Sequence, residues 1–131
     1  MPASEYTADL IAEAAAGGTA YQGPATIYLE LVTTAPAPDT PGTPSGLGRI
    51  AVAQATFWSS DDAGKLTNAE IAAWEAATGD VGPVTHYERW DAASGGNMLG
   101  YDALSGDEAS RTIVTGQIAR FPVGALTLTV V

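Results

Sequence analysis

The sequence predicts a mainly β protein: a small antiparallel β-sandwich with one short N-terminal helix. Three observations carry that class. Apolar and polar residues alternate with period two in "ATIYLELV", "MLGYDA" and "ALTLTVV", as they do in strands with one buried face. Clusters of Gly, Pro, Asn, Asp and Ser punctuate the chain at short intervals. Strand patterns do not alternate with long helical ones, so parallel βαβ architectures are not expected. A chain of 131 residues is one domain, 1–131, by size. It buries roughly two-thirds of the surface its unfolded chain exposes, enough to fold without a disulfide or a metal.

The helix is expected over residues 4–16, "SEYTADLIAEAAA". Ser4 can cap it by accepting from a free backbone N–H, and Glu5 and Asp9 lie near the positive end of the helix dipole. Tyr6, Leu10 and Ala14, with Ile11 beside them, make one apolar stripe, and Gly17-Gly18 ends it. A strand follows, with Ile27, Leu29 and Leu31 on one face and Tyr28 and Glu30 on the other. Pro36, Pro38, Pro41 and Pro44 cannot donate ladder hydrogen bonds, so residues 35–48 are expected to form an extended loop. "RIAVAQATFWSS" reads as a second strand, with Ala51, Ala53, Ala55 and Phe57 on a face of small residues that suits close sheet packing. In "LTNAEIAAWEAATG", Thr67 and Glu70 fit a capping box, but Leu66 to Ala72 also fits a strand. "THYERWDAASGGNMLGYDAL" is a hairpin whose Gly95-Gly96 turn accepts positive φ. A strand ending at Pro122, a turn at Gly124 and a half-buried strand through Leu126 and Leu128 close the chain, giving about six or seven strands.

Charge and composition exclude whole classes of function. The net charge is −10, with five basic and fifteen acidic residues. Such a surface repels nucleic-acid backbones and anionic lipid. No apolar run reaches the roughly 18 residues of a membrane span, and "MPASEYTADL" is not a secretory signal. There is no cysteine, hence no thiolate metal site or thiol nucleophile. Gly64 and Glu70 have the spacing that ends an EF-hand loop, with Asp61 in a ligand position, but Ser59 and Ala63 leave calcium short of oxygens. No metal or cofactor is expected. His86, the single histidine, shares a strand face with Glu88 while Asp91 points to the other face. No Gly-x-Ser-x-Gly elbow supplies a nucleophile. No catalytic residue is therefore assigned, and His86 is read as a strand histidine with a hydrogen-bonded ring. A sugar-binding face built on Trp58, Trp74, Trp90 and Tyr87 is an alternative, set against burial of those rings in the core.

Four segments, taken in order, resemble small phage virion proteins of the tail-fibre-like type: "GGTAY", "PATIYLELVTTAPAPD", "GPVTHYERWDAASGGNMLGYDAL" and "RFPVGALTLTV". The resemblance is to such proteins of an actinobacterial phage, and the alanine- and glycine-rich composition suits a GC-rich genome. The resemblance implies a compact β-sandwich, a structural role in the virion after synthesis in the host cytoplasm, and no enzyme activity. It also favours a strand near Leu66 to Ile71. The family pattern places a small and then an apolar residue where this chain has Glu88-Arg89, which suggests a sheet edge or a contact with a partner. Arg111 and Arg120 are candidate ion-pair partners for Glu88. The expected role is capsid decoration on the exterior lattice, with a tail-fibre or tail-tip component as the alternative. The partners would be the major capsid or tail protein and further copies of the chain, since many weak contacts on a repeated lattice act together. The contact residues would be Pro36, Pro38, Pro41 and Pro44 of the loop, Tyr6 and Leu10 of the helix, and the pair Glu88 and Arg89.

Overall fold

The structure is a computed structural model and describes residues 25–60, 65–104 and 110–129, and in the N-terminal segment residues 4, 6–8 and 16. Its strands are β1 (Thr26–Val32), β2 (Pro44–Ala53), β3 (Trp58–Ser60), β4 (Lys65–Asn68), β5 (Ala72–Ala73), β6 (Val81–Val84), β7 (His86–Trp90), β8 (Met98–Ala103), β9 (Arg111–Ile113), β10 (Arg120–Phe121) and β11 (Thr127–Thr129). One turn of helix, α1 (Gln54–Phe57), separates β2 from β3. The main sheet has the order β2-β1-β7-β8, antiparallel throughout. Three smaller antiparallel sheets, β11-β4-β3, β10-β5 and β6-β9, accompany it. The result is the expected small antiparallel β-sandwich.

The core follows from the alternation. Ile27, Leu29 and Leu31 point inward from β1 and meet Phe57, Trp74, Val84, Ile113, Phe121 and Leu126. Each fully buried side chain of this size contributes roughly 1.5–3 kcal/mol over its exposed state. Trp74 meets Phe121 edge to face, with ring centroids 5.7 Å apart, and its Nε1 donates to the Gly48 carbonyl at 3.1 Å.

Several expectations need correction. The strand through residues 49–60 is broken at Ala53, because α1 carries the chain from the main sheet to the β11-β4-β3 sheet and drops Phe57 into the core. Ala51 and Ala53 face solvent, so that face of small residues packs against no second sheet; Ile50 and Val52 pack on the core instead. The proline-rich loop is shorter than 35–48, since β2 begins at Pro44, which pairs with Val32. Proline is tolerated as the first residue of a strand, where its missing N–H costs least. The choice at Leu66 to Ala72 resolves as strand over Lys65–Asn68, then a bend, then β5. Asn68 enforces it: its backbone and side chain both pair with the turn before β11.

The hairpin of β7 and β8 forms as expected, with Asp91 to Asn97 as its turn. Residues 6–8 are helical, and Ser4 caps them by accepting the Thr7 N–H at 3.1 Å. Residues 5 and 9–15 of the expected 4–16 helix, including Leu10, lie outside the described residues, and Ala16 sits in a turn.

Candidate functional site

β7 is a central strand, and both of its faces are covered. Tyr87, Glu88, Arg89 and Trp90 are all buried. This corrects the expectation that Glu88 and Arg89 mark a sheet edge or reach a partner: their side chains are satisfied inside the chain. Arg89 projects towards the core layer, opposite Gly100, and pairs with Asp102 at 3.4 Å. It also hydrogen bonds to the Tyr87 hydroxyl, which donates to the Thr127 carbonyl at 2.6 Å and so ties the main sheet to β11. Burial pushes the Tyr87 hydroxyl and the Asp102 carboxyl up, with Arg89 opposing both, and it lowers the Arg89 guanidinium.

On the other face, Glu88 holds the proline loop down. Its Oε2 accepts the Gly42 N–H at 2.6 Å and its Oε1 accepts Trp90 Nε1 at 3.1 Å. Arg111 and Arg120 do not reach it; the cation that acts on it is Arg49. Glu88 lies opposite Glu30 across β1, and Glu30 pairs with Arg49 Nε at 3.3 Å. Arg49 stacks on Trp90, 4.0 Å from the ring centroid, and Nη1 donates to the carbonyls of Ala92 and Gly95 in the hairpin turn. Desolvation pushes the Glu88 carboxyl up, and the Gly42 and Trp90 hydrogen bonds offset this only in part. Gly42 has to be glycine, because a Cβ there would run into the Thr34 carbonyl and crowd Val32.

This polar seam assembles one pole of the molecule. Over the seam, the loop, the N-terminal segment and the hairpin turn enclose an open cleft of about 250 Å³, lined in part by Tyr6, Pro38, Asp39, Pro41, Asn97 and Met98. Ser4 anchors the segment by donating its N–H to the Leu99 carbonyl at 3.3 Å. Of the expected contact residues, the structure thus brings together Tyr6, Pro38 and Pro41 at one cleft. Pro36 is half-buried in the same loop, and Pro44 sits apart in β2.

A family model described as podophage GP4 fiber I protein gp80 matches residues 2–129. The chain belongs to this family of phage fibre proteins. No curated protein matches it.

In this fibre-family chain, no carboxylate pairs with His86 among the described residues. Its Nδ1 lies 2.8 Å from Thr85 Oγ1, its strand neighbours are Val32 and Ala103, and burial lowers its pKa. Glu88 is engaged with Gly42 and Trp90, and Asp91 accepts from the Asn97 backbone and side chain across the turn. The rings proposed for sugar stacking are largely interior: Trp74, Tyr87 and Trp90 are buried, and half-buried Trp58 packs between Phe57 and Tyr87. Asp61, Ala63 and Gly64 of the calcium-like spacing lie outside the described residues. Among the described residues no three His, Asp or Glu side chains group as metal ligands.

Proposed function

We propose that the chain is a non-enzymatic subunit of the phage tail fibre or tail tip. It docks on a neighbouring virion protein through the pole formed by Tyr6, Pro38, Asp39, Pro41 and Met98. The observation that carries this reading is the fibre-protein family match over residues 2–129. The geometry of the pole supports the docking surface. Prolines fixed over a buried hydrogen-bonded seam lose little conformational entropy on binding, as a pre-organised contact requires. An acidic chain of net charge −10 keeps free subunits soluble and away from the packaged genome. The fibre reading replaces capsid decoration as the leading role, because the matched family is described by fibre and not by shell.

Gold-labelled antibody against the chain, applied to intact particles, tests this reading. Label on the tail or its fibres is expected. Label distributed over the capsid shell overturns the fibre reading in favour of decoration. The docking surface is tested by Tyr6→Ala with Pro38→Ser: particles should incorporate less of this folded variant than of the wild type.

A further inference from the structure

A second surface lies outside that pole, on the small β5-β10 ribbon. Ala72 pairs with Phe121 and Ala73 with Arg120, and the Trp74 N–H continues the ladder to the Ala119 carbonyl at 2.9 Å. Burial alternates cleanly along both strands. Ala72, Trp74, Ala119 and Phe121 are buried, whereas Ile71, Ala73, Glu75, Ile118, Arg120 and Pro122 are exposed. The outward face is therefore apolar where a solvent-facing ribbon is ordinarily polar. Ile71 and Ile118 are each 54% exposed, and Val123, in the turn that follows Pro122, is 61% exposed. Among the described residues five large hydrophobic side chains are exposed; these three and Val114, which precedes the adjoining turn, make four of them.

Within this strip stand one cation and one anion, Arg120 and Glu75, which form no ion pair among the described residues. The rim of the strip is fixed. Arg111 Nη1 donates to the Arg120 carbonyl at 2.7 Å and its guanidinium lies over the Phe121 ring, so one edge of the ribbon is occupied while its face stays open.

We infer that this face is a self-docking surface whose occupant is the same face of a second copy of the chain. Charge decides the occupant. A two-fold contact places each residue against a partner position and that partner position against the residue, so a patch must carry both halves of every pair. The β5-β10 face carries both: Arg120 of one copy meets Glu75 of the other, twice, with Ile71, Ile118 and Pro122 packed between. A uniformly acidic partner would leave Glu75 opposed, and a basic one would leave Arg120 opposed. Two sheet faces at the usual spacing of about 10 Å bring these side chains into contact. The remaining surface is acidic in both copies and repels at long range, so added salt strengthens the association until it screens the Arg120–Glu75 pairs.

Sedimentation velocity over a concentration series, at low and moderate salt, tests the inference on the full chain. The wild type should show a concentration-dependent dimer. Ile118→Asp should abolish it. Arg120→Glu and Glu75→Arg should each raise the dissociation constant roughly tenfold or more, and the double exchange Arg120→Glu with Glu75→Arg should restore most of the affinity. All four variants alter exposed side chains, and circular dichroism melts matching the wild type confirm that they fold. A wild type that stays monomeric at every concentration overturns the inference. So does a dimer that persists in the single exchanges, or one that the double exchange fails to rescue. None of these outcomes depends on where the protein sits in the particle, so fibre assignment and self-docking fail separately.

Discussion

Asn68→Asp is a change of one atom, and it should be among the most damaging single substitutions in the chain. Asn68 is fully buried at the end of β4. Its Nδ2 donates to the Glu70 carbonyl at 2.8 Å and the Pro122 carbonyl at 2.9 Å, while its Oδ1 accepts the Leu126 N–H at 2.8 Å. Two of these bonds stitch β4 to the turn between β10 and β11, and the third fixes the bend after β4. Aspartate keeps the shape and the acceptor for Leu126, but it turns an oxygen towards two carbonyls. The folded chain must protonate that oxygen, and the proton satisfies only one of the two.

Holding an aspartic acid protonated at pH 7 against a free value of about 3.9 costs at most about 4 kcal/mol, at about 1.4 kcal/mol per pH unit. The carbonyl left without a donor adds about 1 kcal/mol. Relaxation around the site lowers the sum, so the destabilisation at pH 7 should fall between about 2 and about 5 kcal/mol. Against a typical stability of roughly 5–15 kcal/mol this is a large fraction. The sign with pH follows from linkage. The new carboxyl has a folded pKa above its unfolded one, so its stabilising proton is present below the unfolded value and lost as pH rises. Urea denaturation of wild type and variant at several pH values between 4 and 7 reads the difference. The gap should close by up to about 1.4 kcal/mol per unit on acidification. A variant within about 0.5 kcal/mol of wild type at pH 7, or a gap that ignores pH, would refute this account of Asn68.

Three further substitutions probe the seam and the tie between layers. Glu88→Gln removes a carboxyl whose folded pKa is raised by burial. The wild type therefore loses stability relative to the variant as pH rises from the ordinary carboxyl value, and a wild type–variant gap constant with pH would count against the arrangement. Gly42→Ala forces a Cβ against the Thr34 carbonyl and should cost about 1–3 kcal/mol in thermal melts. It should also raise amide hydrogen exchange over residues 34–43, and unchanged exchange there would show that Gly42 does not clamp the loop. Tyr87→Phe deletes the donor to the Thr127 carbonyl, for a loss of about 1–2 kcal/mol by urea titration.

The sequence made some of this architecture plain and hid the rest for definite reasons. Alternation in β1 and in the β7-β8 hairpin was legible because each residue's face depends only on its parity along a strand. The same parity also carries a signal of burial on both faces of β7. Tyr87 and Trp90 fall on opposite faces of β7, and two large aromatics on opposite faces mark a strand covered on both sides. Glu88 and Arg89, between them, are then buried on opposite faces instead of meeting a partner at an edge. Their partners were out of reach of local reasoning: Gly42 is 46 residues from Glu88, and the Leu126 amide is 58 residues from Asn68. Even the broken strand after Ala53 is a long-range outcome, since "AVAQATFW" has no proline or glycine to stop it, and the chain leaves the main sheet because Phe57 is drawn into a core assembled from distant strands. The exposed face of β5 and β10 was hidden for the same reason. Ile71 and Ile118 are far apart in the sequence, each unremarkable as a surface residue alone. Only the ribbon that pairs Ala73 with Arg120 puts them on one outward face, at its two ends, together with Arg120 and Glu75.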